Sequence, residues 1–269
     1  MITFIRMEEQ STVRIPTMAE LRSEGITPEI LFWVGCAGSF DARAQKVSQT
    51  LAKLLSAAGI EFAILGAEEQ CTGDPARRSG NEFLFQSLAL QNVRTLNGYG
   101  IRKIVTACPH CFNTLKNEYP ELGGNYEVLH HSQLIRSLVS EGRLRVKGAN
   151  YERMTYHDSC YLGRMNGVYE VPRELLEMLE VKLVEMARSR EGGLCCGAGG
   201  AQMFKEDEPG RTRINTERVA EIMETRPAAV VANCPFCITM LTDGLQEKDA
   251  GDEIAVYDIS ELILNNLIH

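Results

Sequence analysis

The amino-acid sequence predicts an α/β protein made of two pseudo-symmetric Rossmann-like lobes, each with a parallel sheet. Three observations support this fold class: short apolar runs alternate with segments of helical periodicity, nine cysteines form one pattern twice, and the residues around them repeat as well. Strands that alternate with helices are joined by right-handed crossovers and form parallel sheets, whose sites lie at the carboxyl ends of the strands. We therefore expect the cysteines at those ends.

The cysteine pattern is duplicated with a nearly constant offset. Four cysteines of the first half have counterparts 124 or 126 residues later. The first set is Cys36, Cys71, Cys108 and Cys111, and its counterparts are Cys160, Cys195, Cys234 and Cys237. Cys196 is an addition to the second set. The chain is thus an internal tandem repeat, with a predicted arm at 1–29, a first cysteine-rich repeat at 30–149 and a second at 150–269.

The elements of the first repeat follow from local patterns. Residues 30–35 are a short apolar run that predicts a strand, and apolar residues at helical spacing over 44–58 predict a helix, which Gly59 ends. Each later cysteine group then follows a predicted strand or its loop. The remaining predicted elements are strand 61–65, helix 80–96, strand 101–106, helix 112–118, strand 126–129 and helix 132–139.

The second repeat predicts the same order of elements. A strand at 154–157 leads to Cys160, and a strand at 228–232 leads to Cys234. Between them the pattern predicts a helix at 172–179 and a strand at 182–186. The run Asp258-Ile259-Ser260-Glu261 is typical of a helix cap rather than of a catalytic acid.

Composition and charge restrict the setting of the protein. The chain has 269 residues, of which 44% are hydrophobic, and this leaves room for two cores of about 120 residues each. A net charge of −8 argues against a nucleic-acid partner. No apolar run approaches the roughly 20 residues that span a bilayer, and the charged start does not resemble a signal peptide, so we expect a cytoplasmic protein. In that reducing compartment, paired CxxC motifs favour metal binding or redox chemistry over disulfides.

The number of thiols differs between the repeats. Four thiolates suit either a conventional Fe–S cubane or a tetrahedral zinc site. In the second repeat, the fifth thiol of Cys196 either bridges metal ions, stays free as a redox thiol, or packs in the core. In the first repeat, Thr72 occupies the matching position, so that site holds zinc, a cubane or nothing.

The second repeat resembles a known family. The residues concerned are Cys160, Cys195, Cys196, Gly197, Cys234 and Cys237. Their pattern resembles the cysteine-rich CCG domain of the B-type component of heterodisulfide reductase and of the glycolate oxidase iron–sulfur subunit, over about 30–268 of this chain. Several stretches look most like the carboxy-terminal half of longer, membrane-linked members. The resemblance implies a [4Fe-4S] cluster on the second repeat, either conventional or of the non-cubane type in which five cysteines are used. It also implies zinc or a second [4Fe-4S] cluster on the first.

The function predicted from this resemblance is that of an iron–sulfur subunit in a multi-subunit oxidoreductase. Cys195 and Cys196 are the predicted catalytic thiols, acting in disulfide reduction or in electron transfer toward quinone. The alternative is a non-catalytic zinc or Fe–S scaffold subunit, which would need only four ligands at each site. Expected partners are a ferredoxin-like Fe–S or flavin subunit and a quinone-interacting membrane subunit, which would hold the chain on the inner face of the cytoplasmic membrane.

A few polar residues near the cysteines allow more than one interpretation. His157, three residues before Cys160, could donate to a cluster sulfur or relay protons, but a place in the core or a structural hydrogen bond is favoured. His110 lies inside the first CxxC loop, where Phe236 is its counterpart, so the repeat does not require imidazole there. Arg77 and Arg78 could hold an anionic substrate, although surface arginines are usually solvated or paired.

Overall fold

The structure is a computed structural model that describes residues 14–149, 151, 153–206 and 209–268. The strands are β1 (Ile30–Trp33), β2 (Phe62–Ala63), β3 (Lys103–Thr106), β4 (Glu127–His130), β5 (Met154–His157), β6 (Ala229–Ala232) and β7 (Ala255–Tyr257). The α-helices are α1 (Met18–Ser23), α2 (Gly35–Phe40), α3 (Ala42–Ala57), α4 (Asp74–Arg78), α5 (Glu82–Tyr99), α6 (Pro109–Asn113), α7 (His131–Ser140), α8 (Glu170–Met178), α9 (Ile214–Glu224), α10 (Pro235–Glu247) and α11 (Ile259–Asn265).

Two parallel sheets form the framework, as the sequence predicts. The first has the order β2-β1-β3-β4 and the second has the order β5-β6-β7. β1 and β6 are buried along their whole length, and β3 is buried except at its first residue, as is usual for parallel sheets with helices on both faces. Leu31 pairs with Ile104 in the first sheet and Met154 pairs with Ala229 in the second.

The second sheet is smaller than the sequence predicts. Residues 182–186 do not form a strand, and only Leu183 makes an isolated parallel bridge, to Met154. Two hydrogen bonds support this bridge, from the Met154 amide to Lys182 and from the Val184 amide to Met154. The apolar residues at 182–186 are therefore used for a single pairing and not for a ladder.

Two predicted boundaries next to cysteines are wrong. The strand predicted to reach residue 35 ends at Trp33, since Gly35 has φ +77° and begins α2. A Cβ on Gly35 would lie 3.3 Å from the Cys111 sulfur, so a glycine is needed for the turn and for the close approach. The helix predicted at 112–118 is α6 followed by a π-helical turn, Thr114–Glu118.

The two repeats are joined by buried and half-buried contacts. In the described residues, α11 packs on α3, and Arg43 of α3 donates to Glu261 of α11 over 2.6 and 2.8 Å. The buried Nε2 of His131 lies 2.8 Å from Asp258 Oδ1, across the same junction. These contacts fix the carboxyl ends of one sheet relative to the other.

The predicted arm at 1–29 lies partly outside the described residues, which begin at Arg14. Its described part packs on the first repeat. Thr17 caps α1 with a capping box and pairs with Ile64, while Met18 is buried. None of the helices in the described ranges combines the length and the apolar character that crossing a bilayer requires.

Candidate metal centres

The four cysteines of the first repeat come together beside the carboxyl ends of β1 and β3. Cys36 lies in α2 directly after β1, and Cys71 lies in the loop before α4. Cys108 caps α6, and Cys111 lies inside that helix. All four line one cavity of about 10 Å³, and their thiols hydrogen-bond in pairs, Cys36 with Cys71 and Cys108 with Cys111.

Cys71 is the sulfur of this set that carries negative charge most readily. The Cys36 thiol and the Gly73 amide, 3.4 Å away, donate to it and lower the pKa of Cys71 to about 6, although burial opposes this. The pKa of Cys36 is raised because its thiol shares its proton with Cys71 and is buried. Gly73 has φ +88°, and a Cβ on it would lie 2.9 Å from the Phe85 ring, so only glycine presents this amide without strain.

The five cysteines of the second repeat gather in the same way beside the carboxyl ends of β5 and β6. Cys160 follows β5, the adjacent pair lies in a loop between α8 and α9, and the CxxC pair begins α10. Neighbouring thiols of this set perturb one another's pKa in one continuous series, in the order Cys160, Cys195, Cys196, Cys237 and Cys234. The structure therefore groups the nine cysteines as the sequence predicts, with four at the first site and five at this one.

Cys195 is the counterpart of Cys71 in both position and chemistry. The thiols of Cys160 and Cys196 and the amide of Gly197, 3.4 Å away, donate to it and hold its pKa far below the usual range for a thiol. Gly197 makes the same contact as the glycine after Cys71, with φ +92°. Cys196 is buried, and its pKa is raised because its thiol donates to Cys195.

His157 lies against this second set. A ring nitrogen of His157 and the sulfurs of Cys196 and Cys237 all lie within 4.8 Å of one another. Arg218 Nε donates to His157 Nδ1 over 3.0 Å. Burial and the Arg218 charge lower the pKa of His157 to about 3, so the imidazole is neutral. Of the alternatives from the sequence, a buried structural hydrogen bond is present.

His110 joins the two sets. Its ring stacks on Tyr161 at 4.1 Å and meets Phe236 edge-on at 5.3 Å, and both rings belong to the second repeat. His110 Nδ1 lies 2.8 Å from Asp74 Oδ2. Burial lowers the pKa of His110, but Asp74 and the nearby sulfurs of Cys234 and Cys108 outweigh it and raise that pKa to about 9. The cysteine sets of the two repeats therefore face each other across one imidazole.

Arg77 and Arg78 are both paired with acids in the structure. Arg77 Nη1 lies 3.0 Å from Glu118 Oε2, and Arg78 Nε lies 3.0 Å from Asp74 Oδ1. Arg78 also binds Glu118. This arrangement favours a structural role over recognition of an anionic substrate.

Three polar residues near the sites were missed from the sequence. Glu69 accepts the amides of Val34 and Gly35 over 3.1 and 2.6 Å, and burial raises the pKa of Glu69 to about 7. Asp74 could have been found, because an Asp-Pro step is a common helix start. Arg218 had no signal, since its helix was not predicted.

The donor chemistry fits metal binding at both sets. All nine cysteines are free thiols, and neighbouring thiols share protons that a soft metal ion would replace on binding. Within the described residues, three buried side-chain donors beside the second set lack a hydrogen-bond partner: His157 Nε2, Ser159 Oγ and Asn233 Nδ2. Donors left free around anionic sulfurs are what a sulfur-rich, negatively charged group requires.

Fold and sites together define the class: an α/β protein with two repeated thiol-lined sites, each at the carboxyl ends of a parallel sheet. The chain belongs to the cysteine-rich domain family (CCG), which matches residues 30–116 and 154–242. The family match thus falls on both repeats and includes all nine cysteines.

The curated relatives of this chain are named as redox proteins. The chain is 47% identical over 97% of its length to the "Probable iron-sulfur-binding oxidoreductase FadF" of Bacillus subtilis, of which it covers 37%. It is 44% identical over 90% of its length to the EtfAB:quinone oxidoreductase of Syntrophomonas wolfei, of which it covers 35%. It is 35% identical over 89% of its length to one component of the dihydromethanophenazine:CoB--CoM heterodisulfide reductase of Methanosarcina barkeri, of which it covers 59%. The chain thus spans about a third to three-fifths of these relatives.

Among solved structures, the glutamate racemase isoform RacE1 from Bacillus anthracis aligns with 88% of this chain and 77% of its own. The TM-score is 0.36 and the sequence identity is 12%, values at which the match supports no conclusion.

Proposed function

We propose that this chain is the iron–sulfur subunit of a multi-subunit oxidoreductase and that its second repeat holds a [4Fe-4S] cluster. The observation that supports this most directly is the gathering of five free thiols beside the carboxyl ends of β5 and β6. A simple structural ion is satisfied by four thiolates, so the adjacent fifth, Cys196, needs another use. Relatives named as iron–sulfur-binding and quinone oxidoreductases support the same assignment.

The proposed ligands of the second repeat are Cys160, Cys195, Cys196, Cys234 and Cys237. The cluster would supply one-electron transfer. Cys195 offers the thiolate that forms most readily, and Gly197 steadies its charge through a backbone amide. Cys196, which is buried beside Cys195, would serve either as the fifth ligand of a non-cubane cluster or as a redox thiol.

For the first repeat we propose a zinc ion held by Cys36, Cys71, Cys108 and Cys111. Four thiols paired around a cavity of about 10 Å³ suit one tetrahedral ion. Thr72, which occupies the fifth position, is buried, and its hydroxyl lies 4.0 Å from the Cys111 sulfur. A conventional cubane is the competing occupant.

The proposed reaction is reduction of a disulfide or transfer of electrons toward quinone. One relative is named as a heterodisulfide reductase component and another as a quinone oxidoreductase. Electrons would come from a ferredoxin-like Fe–S or flavin partner, and a membrane subunit that interacts with quinone would complete the complex.

We also propose that the two repeats are pseudo-symmetric Rossmann-like lobes. The equal cysteine positions after β1 and β5, and after β3 and β6, support that relation.

The test is to measure iron, acid-labile sulfide and zinc per chain after anaerobic purification, with the EPR spectrum after oxidation. About four irons and about one zinc are expected. About eight irons would replace zinc by a second cluster in the first repeat. Zinc without iron would overturn the redox function in favour of a non-catalytic scaffold.

A further inference from the structure

The buried pair of His157 and Arg218 lies against the second cysteine set and has no role in the thiol network itself. Both side chains are fully or almost fully buried, at 1% and 0% exposure. Arg218 is further held by Glu221, 2.6 Å away, and by the carbonyl of Arg188, 2.7 Å away. These two hydrogen bonds hold the guanidinium in place independently of its contact with the imidazole.

The contact between them determines which ring nitrogen carries the proton. A guanidinium can only donate, so His157 Nδ1, 3.0 Å from Arg218 Nε, must be the acceptor. A neutral imidazole with Nδ1 as acceptor carries its proton on Nε2. In the described part of the chain that Nε2 is buried and has no hydrogen-bond partner.

We propose that His157 directs its Nε2–H at the sulfurs of Cys196 and Cys237, that Arg218 is the positioning residue that sets this tautomer, and that the pair raises the reduction potential of the cluster. This rests on the proposed function. The proximity of the ring to both sulfurs, within 4.8 Å, and the absence of any other described partner for Nε2 support it. Because Nε2 is protonated, His157 acts as a donor to sulfur and not as a metal ligand.

The first repeat shows how a site without this pair is built. Trp33 occupies the matching position, 124 residues before His157, and it is fully buried. Its Nε1–H also has no hydrogen-bond partner among the described residues, so the first repeat has a donor at this position but no imidazole held by an arginine. Gly35 and Ala107 match Ser159 and Asn233, so two further donor side chains occur only in the second repeat. The extra donors therefore coincide with the fifth cysteine, at the site proposed to exchange electrons.

Hydrogen bonds to cluster sulfurs stabilise the more negative, reduced state and so raise the reduction potential. His157→Leu should therefore shift the midpoint potential of the iron-loaded protein downward. His157→Gln, whose amide can donate from near the position of Nε2, should restore it most of the way. Arg218→Met should shift the potential in the same direction as His157→Leu, and Arg218→Lys should shift it less.

The measurement is a redox titration followed by EPR on the full chain, together with iron analysis of every variant. Trp33→Phe serves as the matched control from the first repeat and should leave the midpoint of the second-repeat signal unchanged. An unchanged midpoint in iron-loaded His157→Leu would overturn the proposal and leave the proposed function intact. Wild-type protein without iron would overturn both.

Two further results test the role of His157 even when a variant folds poorly. Complete loss of iron from both His157→Leu and His157→Gln, matching the loss in a cysteine variant, would make His157 a ligand and overturn the donor role. Long-range ¹H–¹⁵N NMR of the wild-type chain should show the Nε2–H tautomer of His157. The Nδ1–H tautomer would overturn the proposal without any substitution.

Discussion

At the scale of single residues, Cys196 has no counterpart in the first repeat, and we expect its thiol to define the cluster. Cys196→Ser removes one sulfur and leaves the other four thiols of the second set in place. The EPR spectrum of the oxidised protein should therefore change and electron-transfer activity should be lost. EPR of anaerobic protein at equal iron content measures the first effect, and turnover with a disulfide or quinone acceptor measures the second.

The control for this substitution comes from the other repeat. Cys36→Ser removes one thiol of the first set and should leave the spectrum of the second repeat unchanged while the zinc content falls. If Cys196→Ser gives the wild-type spectrum and turnover, the fifth thiol is only packed in the core.

The glycine after Cys196 is expected to be needed for its conformation as well as for its amide. Gly197 has φ +92°, and a Cβ on it would lie 3.3 Å from Ile214 Cβ, so Gly197→Ala should destabilise the loop by about 1–3 kcal/mol. The expected result is faster loss of iron to a chelator. Gly199 lies two residues away with nothing within 4 Å of an added Cβ, so Gly199→Ala is the matched control. Equal rates of loss in the two variants would contradict the strain argument.

At the scale of elements, the start of α11 is fixed to the start of α7 by a buried carboxylate. Burial alone would raise the pKa of Asp258, but His131 and Ser260 outweigh it, and the pKa lies below its ordinary value of 3.8. A depressed carboxyl pKa contributes stability that is fully present above the unfolded pKa and is lost as pH falls through the folded one. Asp258→Asn should therefore lower the free energy of unfolding by about 1–3 kcal/mol above pH 4, with the difference shrinking in more acidic solution.

Chemical denaturation at a series of pH values measures this difference. Asp41 is the control, because it also caps a helix, α3, by accepting the amide of Ala44 over 2.7 Å, but its side chain is exposed. Asp41→Asn should lower the free energy of unfolding by less than Asp258→Asn does, because the Asp41 side chain is exposed. A penalty for Asp258→Asn that is constant from pH 3 to pH 7 would contradict the assigned protonation state.

Element by element, the sequence predicts the parts that are set by local pattern. The buried strands before Cys36, Cys108, Cys160 and Cys234 were predicted because they are short apolar runs next to cysteines. The helix cap at Asp258 was predicted from its capping box and is confirmed. The repeated order of elements implies helices at the places of α9 and α10, but the local pattern gives no bounds for them, so the position of Arg218 on α9 cannot be predicted. The partner of His157 could not be predicted because residue 218 is 61 positions away in sequence and reaches it only through tertiary packing.

At the scale of the whole molecule, buried apolar residues of both repeats belong to one continuous core. Val146 at the end of the first repeat bridges Leu267, and Arg43 binds Glu261 in the last helix. Both contacts join the end of the second repeat to the first repeat. Because the described residues of both repeats share one core, a loss of stability in one repeat is expected to destabilise the other.

We expect loss of the first metal site to destabilise the entire chain in a single transition. A metal ion whose free concentration is a thousand times its Kd adds about 4 kcal/mol to the free energy of unfolding. This corresponds to a rise of roughly 8–16 °C in the unfolding temperature of a chain of this size. Cys108→Ser should lower the transition by that order, and the second repeat should unfold at the same temperature as the first. Trp33 is the only tryptophan, and it is buried in β1, so its fluorescence reports on the first repeat. Visible absorbance of the proposed cluster would report on the second repeat. Coincident melting of both signals in wild type and variant is the expected result, whereas cluster absorbance that persists above the tryptophan transition would show that the repeats unfold separately.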